Sequence, residues 1–148
     1  MSAHRTRVQA LQALLAGSQL GSHPSCGTIL GEFAEVSRAG RIRRQGRRQL
    51  LQVLHSTRAL DTSLHELIAH HNLPRSGNSL GGYLVALCRH NVAGVGRLPD
   101  TNRRHYQARI VGPRNRYMHE AGAFPDNDME IQTLLAEMQT CLVEVLSL

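Results

Sequence analysis

A chain of 148 residues fits one domain, 1–148, around a single core, and its three distant cysteines (Cys26, Cys88, Cys141) form neither a disulfide framework nor a zinc motif. No apolar run approaches the roughly 18 residues of a membrane span, and the basic N-terminus lacks the apolar stretch of a secretory signal, so a cytoplasmic protein with no membrane partner is expected. Net charge is +6, all 17 basic residues are Arg, and all lie at or before Arg116, a balance suited to a polyanionic partner such as nucleic acid.

Leu, Val, Ile, Ala and Met must build the core, because the chain has only three Tyr, two Phe and no Trp. Leu and Ala favour helices, and no stretch alternates apolar and polar residues as a strand would. The expected fold class is all-α, a single-domain bundle of five to six helices. A first helix over residues 3–16 carries Val8, Leu11, Leu14 and Leu15 on one stripe and stops at Gly17. A loop rich in Gly, Ser and Pro runs to Gly27, and a second helix over 28–39 carries Ile29, Leu30, Phe33 and Val36. The densest charge run follows, Arg38, Arg41, Arg43, Arg44, Arg47 and Arg48, broken by Gly40 and Gly46 and read as a loop or frayed junction. A third helix starts near Gly46. A break is expected near Asp61, with Ser63-Leu64-His65-Glu66 as a capping box that opens a further helix ending by Asn72. The Gly-rich stretch Arg75–Gly82 lacks the Lys-Ser/Thr of a nucleotide-binding P-loop and reads as a flexible connection into a short apolar helix over 83–90. A helix over 100–110 stops at Gly112-Pro113. Pro113 then opens a new one, since its missing N–H costs nothing at a first helical position. The last helix begins at Asp126-Asn127-Asp128 and keeps Ile131, Leu134, Leu135, Met138, Leu142 and Val145 on one face.

The segment Arg114-Asn115-Arg116-Tyr117-Met118-His119 places a cation, an amide and a titratable imidazole within six residues. At a helix start, Arg114 would stand beside free backbone N–H groups and the positive end of the helix dipole, both suited to a phosphate. Asn115 and His119 are i,i+4 neighbours on one face. Two other Arg/His pairs have similar spacing. Arg48 and His55 lie inside one helix with Gln49 after the Arg, and Arg58 and His65 straddle the expected break with Ala59 after the Arg. Arg114-Asn115-x3-His119 resembles the signature of the HEPN superfamily, an Arg followed after four to six residues by His, with Asn, Asp or His commonly next to the Arg. The motif is local; chain length and helical class extend the likeness to the whole domain.

The resemblance implies a small all-α domain that cuts RNA with no metal and no other cofactor, as a homodimer in which two motifs form one composite site. Its catalytic residues are then Arg114, Asn115 and His119. His119 moves a proton, Arg114 holds the scissile phosphate, Asn115 orients His119 or a phosphate oxygen, and the RNA 2′-OH is the nucleophile. The resemblance further implies a prokaryotic toxin or defence component, with an antitoxin or defence partner protein. Toxins paired with a nucleotidyltransferase antitoxin usually carry Tyr two residues after the His, where this chain has Ala121, so that pairing is not expected. Arg41, Arg43, Arg44, Arg47, Arg48 and Arg116 are the expected RNA-binding cations, while Tyr117 suits either a stacked base or the core. His65, His70 and His71 lack partners at ligand spacing, so no metal site is expected. Two other readings stay open. One is a non-catalytic helical module that binds RNA, a nucleotide or a partner protein. The other is a basic adaptor whose last helix docks another subunit.

Overall fold

The longest element runs unbroken for 26 residues, Gln45–His70, straight through the place where a break at Asp61 was expected. It is the third of the helices in a computed structural model that describes residues 3–148, with side chains described from Arg5 onward. In chain order these are α1 (Ala3–Ala16), α2 (Cys26–Ala39), α3 (Gln45–His70), α4 (Leu80–Arg89), α5 (Asp100–Tyr106), α6 (Gly112–His119) and α7 (Asp128–Leu146). A π-helical turn, Gln107–Val111, joins α5 to α6 in one rod. The protein is thus an all-α, single-domain bundle of six helical rods among the described residues.

The continuity of α3 has a plain cause. No Gly or Pro lies between Arg47 and His70, and Val53, Leu60, Leu64, Leu67 and Ile68 keep one face buried across the expected break. Ser63 does not cap a new helix. It is buried, and its Oγ donates to the Ala59 carbonyl one turn back at 2.7 Å, as Ser56 Oγ donates to Gln52 O at 2.7 Å. Glu66 reaches outward to His23 Nε2 at 3.0 Å rather than back to a backbone N–H. Small buried side chains at Ser56, Ala59 and Ser63 let neighbouring helices approach, and α3 packs against α2, α4, α6 and α7. Helix α1 covers α2 and α7 with Val8, Leu11 and Leu15 fully buried.

The expected stop at Gly112-Pro113 is also absent. Pro113 has no N–H for the carbonyl four residues back, and its ring crowds that carbonyl. The chain answers by widening one turn: the Gly112 N–H donates to Gln107 O, five residues back, and the helix continues to His119. Arg114 therefore lies inside a continuous rod, and the phosphate-binding helix end expected there does not exist. A free helix start lies elsewhere. Helix α4 begins at Leu80, earlier than expected, because Ser79 caps it with Oγ accepting the Gly82 N–H at 3.1 Å. Asn127 caps α7 in the same way through the Glu130 N–H. No helix is long and apolar enough to cross a membrane among the described residues.

Candidate functional site

Arg114 and Asn115 line a cleft of about 760 Å³ bounded by α3, the start of α4, the π-helical turn and α6. That size suits a small-molecule or nucleotide site. The uninterrupted α3 sets Thr57 and Asp61 one turn apart on the cleft face, with Arg58 beside them. The capped end of α4 brings Ser79, Gly81 and Gly82 to the opposite side. A Cβ at Gly81 would stand 3.0 Å from Gln107 Oε1, the tip of a flexible side chain on the π-helical turn. Leu54, Leu80, Val85, Val111 and Met118 supply the apolar part of the wall.

The polar groups in this cleft are under-satisfied. Arg114 Nη1 donates to Asn115 Oδ1 at 2.9 Å, but its Nε is buried without an acceptor. Thr57 is 4% exposed, and its Oγ1 has no hydrogen-bond partner. Asp61 forms no hydrogen bond or ion pair with any described residue. Burial raises the Asp61 carboxyl above its ordinary value, with Arg114 and His65 pulling it partly back. Arg58 is held at the rim by Glu32, Nη2 to Oε1 at 2.9 Å, and the same carboxylate accepts His55 Nδ1 at 2.8 Å.

The raised Asp61 value has a testable sign. Folding disfavours the ionised carboxylate, so stability present below the ordinary carboxylate range is lost as pH rises through the higher folded value. Asp61→Asn is therefore expected to raise the melting temperature at neutral pH and to leave it nearly unchanged well below the carboxylate range. Thermal melts of both proteins across pH check this. A variant less stable than wild type at neutral pH would mean that ionised Asp61 has a stabilising partner.

His119 ends α6, is exposed, and has no hydrogen bond or ion pair with any described residue. It sits one turn beyond Asn115, but roughly 140° around the helix from Arg114. Asn115 Oδ1 accepts from Arg114, a contact different from either role expected for it, orienting the imidazole or a phosphate oxygen. Tyr117 is not an open stacking platform. It is 8% exposed, and its hydroxyl donates to Glu130 Oε2 at 2.7 Å, tying α6 to α7. Burial and then the Glu130 hydrogen bond push its phenol up. Arg116 is exposed and leans over that ring, 5.0 Å from its centroid, with Nη2 donating to the Tyr117 hydroxyl at 3.1 Å.

The charge run divides. Arg48 is a structural clamp rather than an RNA contact: its guanidinium reaches Asp128 Oδ2 at 3.0 Å and Ile42 O at 2.9 Å, pinning the α2–α3 loop to the start of α7. Arg41, Arg43, Arg44 and Arg47 are exposed and form no ion pair among the described residues, and none of them lines the cleft. No group of three or more His, Cys, Asp or Glu that could hold a metal ion lies among the described residues. Thr57 and Asp61 escape the sequence reading as site residues, and Ser79–Gly82 reads there as a flexible connection rather than a phosphate cradle. The signal for Thr57 and Asp61 is their i,i+4 spacing on one unbroken helix, which a break at Asp61 conceals. No protein-family model matches the chain, and no curated protein or solved structure matches it.

Proposed function

We propose that the protein is an endoribonuclease of HEPN type, cutting RNA without a metal by attack of the 2′-OH at a site built from two copies of the chain. The observation that carries this reading is Arg114, steadied by Asn115 at the cleft with an unsatisfied Nε, on the same helix as the exposed, unpartnered imidazole of His119. A guanidinium in that state is a preorganised phosphate ligand. Because Arg114 and His119 point to different sides of α6, a second copy completes the constellation. His119 of one copy takes the 2′-OH proton, the oxygen attacks phosphorus, and the P–O5′ bond breaks. Protonated His119 of the other copy returns a proton to the leaving 5′-oxygen. The products are a 2′,3′-cyclic phosphate and a 5′-hydroxyl. Exposed Arg41, Arg43, Arg44, Arg47 and Arg116 track the strand. A toxin or defence role, with an antitoxin or defence partner, rests on the family resemblance.

If one site needs His119 from both copies, an inactive chain poisons an active one. Adding excess His119→Ala chain to wild type, under conditions that allow subunit exchange, is expected to suppress RNA cleavage by trapping wild-type chains in hybrid dimers. Undiminished activity per wild-type chain would contradict a shared site.

The unsatisfied polar atoms deep in the cleft favour one alternative, a helical module that binds a nucleotide without cutting RNA. Under it, no RNA is cleaved and His119→Ala has no effect on binding.

A further inference from the structure

We propose that the cleft between α3, α4 and α6 binds a guanosine phosphate, its base read by Asp61 and Thr57 and its phosphate held by Arg114 and the first turn of α4. The nucleotide comes either from an unpaired position of an RNA strand, which rests on the nuclease reading, or from free guanine nucleotide, which does not.

The cleft sets the chemistry that an occupant must bring. Thr57 Oγ1 is buried and unpartnered at the cleft, so it awaits a polar group from outside the chain. Asp61 offers two acceptor oxygens with no donor from any described residue. Arg114 Nε is a buried donor without an acceptor. The occupant must therefore present paired donors on one side and acceptors on another. A cation such as a peptide Arg would satisfy Asp61, but it would enter a cleft that already holds Arg58 and Arg114 in a chain of net charge +6. A neutral base carrying an anionic phosphate satisfies both sides.

Among the four bases, guanine alone presents two adjacent N–H donors, N1–H and the N2 amine, in the fork that a carboxylate accepts. Adenine and cytosine place a ring acceptor beside their amine, which repels a carboxylate. Uracil has one N–H flanked by two carbonyls. The phosphate has a matching place opposite. Ser79 takes the Gly82 N–H, leaving the N–H groups of Leu80 and Gly81 at the start of a 10-residue helix whose dipole favours an anion. The apolar wall of Leu54, Leu80, Val85 and Met118 suits the faces of a purine ring.

The test is equilibrium binding of GMP, IMP, AMP, CMP and UMP to the full chain by calorimetry. IMP lacks only the N2 amine, so it probes the second donor without altering the protein. GMP is expected to bind at least tenfold tighter than the other four. Asp61→Asn should bring GMP and IMP to within about twofold of each other, and Thr57→Val should weaken GMP with the helical circular dichroism unchanged. A preference for another base overturns the inference, and so does equal affinity for the guanine and hypoxanthine forms, or no binding at millimolar concentration, when it holds both for the mononucleotides and for an oligoribonucleotide. An oligoribonucleotide with one unpaired G, and its inosine counterpart, separates the two sources. Discrimination only within the oligomer places the nucleotide in RNA, and discrimination by GMP itself places it in solution. G-selective binding with no RNA cleavage sustains this inference and removes the nuclease reading. Cleavage without GMP binding or base preference does the reverse.

Discussion

If the protein is the proposed ribonuclease, replacing His119 with alanine is expected to lower the rate of RNA cleavage by about 10²–10⁴-fold, the usual worth of a positioned general acid or base. The size of this effect comes from chemistry alone. His119 is exposed at the end of α6 and contributes no hydrogen bond or ion pair to the fold among the described residues, so the variant should melt within about 1 °C of wild type. Arg114→Ala should cost activity too, but it also empties one wall of the cleft. Arg114→Lys separates the two effects. Lys keeps the charge and loses the planar fork, including the Nε donor, so it should restore little of the rate. Cleavage measured under single-turnover conditions, with thermal melts alongside, checks the series. An unchanged rate for His119→Ala would mean that the imidazole moves no proton in the reaction.

The largest effect on stability is expected at Phe33. It is the bulkiest side chain with no solvent exposure, on α2, which packs against both α1 and α3. Phe33→Ala removes its transfer free energy and leaves a cavity, costing about 3–5 kcal/mol. Against a total of about 5–15 kcal/mol for an ordinary domain this is a large share, and it lowers the melting temperature by roughly 10 °C. Leu50→Ala provides the contrast. Leu50 is 36% exposed on the same long helix as the cleft residues, and its loss should cost under about 1 kcal/mol. Urea unfolding of the two variants checks the difference. A cost under about 1 kcal/mol at Phe33 would mean that the α1–α2–α3 core can collapse around the missing ring.

The helical class and the buried stripes could be read from the sequence because period and burial are local properties of each helix. Ile131, Leu134, Leu135, Met138, Leu142 and Val145 are all buried as their spacing implied. What could not be read was where helices fail to stop. Ser63 and Glu66 have the pattern of a capping box, yet the buried Leu60 and Leu64 on either side keep α3 intact, and burial outweighs a cap worth about 1 kcal/mol. Gly112-Pro113 has the pattern of a boundary, yet one widened turn relieves the proline. Both misreadings hid the same thing. A divided α3 separates Thr57 from Asp61, and a broken rod puts Arg114 at a helix start rather than on a cleft wall. The roles of Arg48 and Tyr117 depend on Asp128 and Glu130, partners contributed by α7 across the bundle. No local pattern announces such pairs.

The most direct measurement is an RNA cleavage assay on purified full chain in excess EDTA, with the ends of the products identified. Cleavage that persists, leaves 2′,3′-cyclic phosphate and 5′-hydroxyl ends, and disappears in His119→Ala is the result this account predicts. Folded wild-type protein that leaves RNA intact, or that cuts it to 3′-hydroxyl and 5′-phosphate ends, would contradict it.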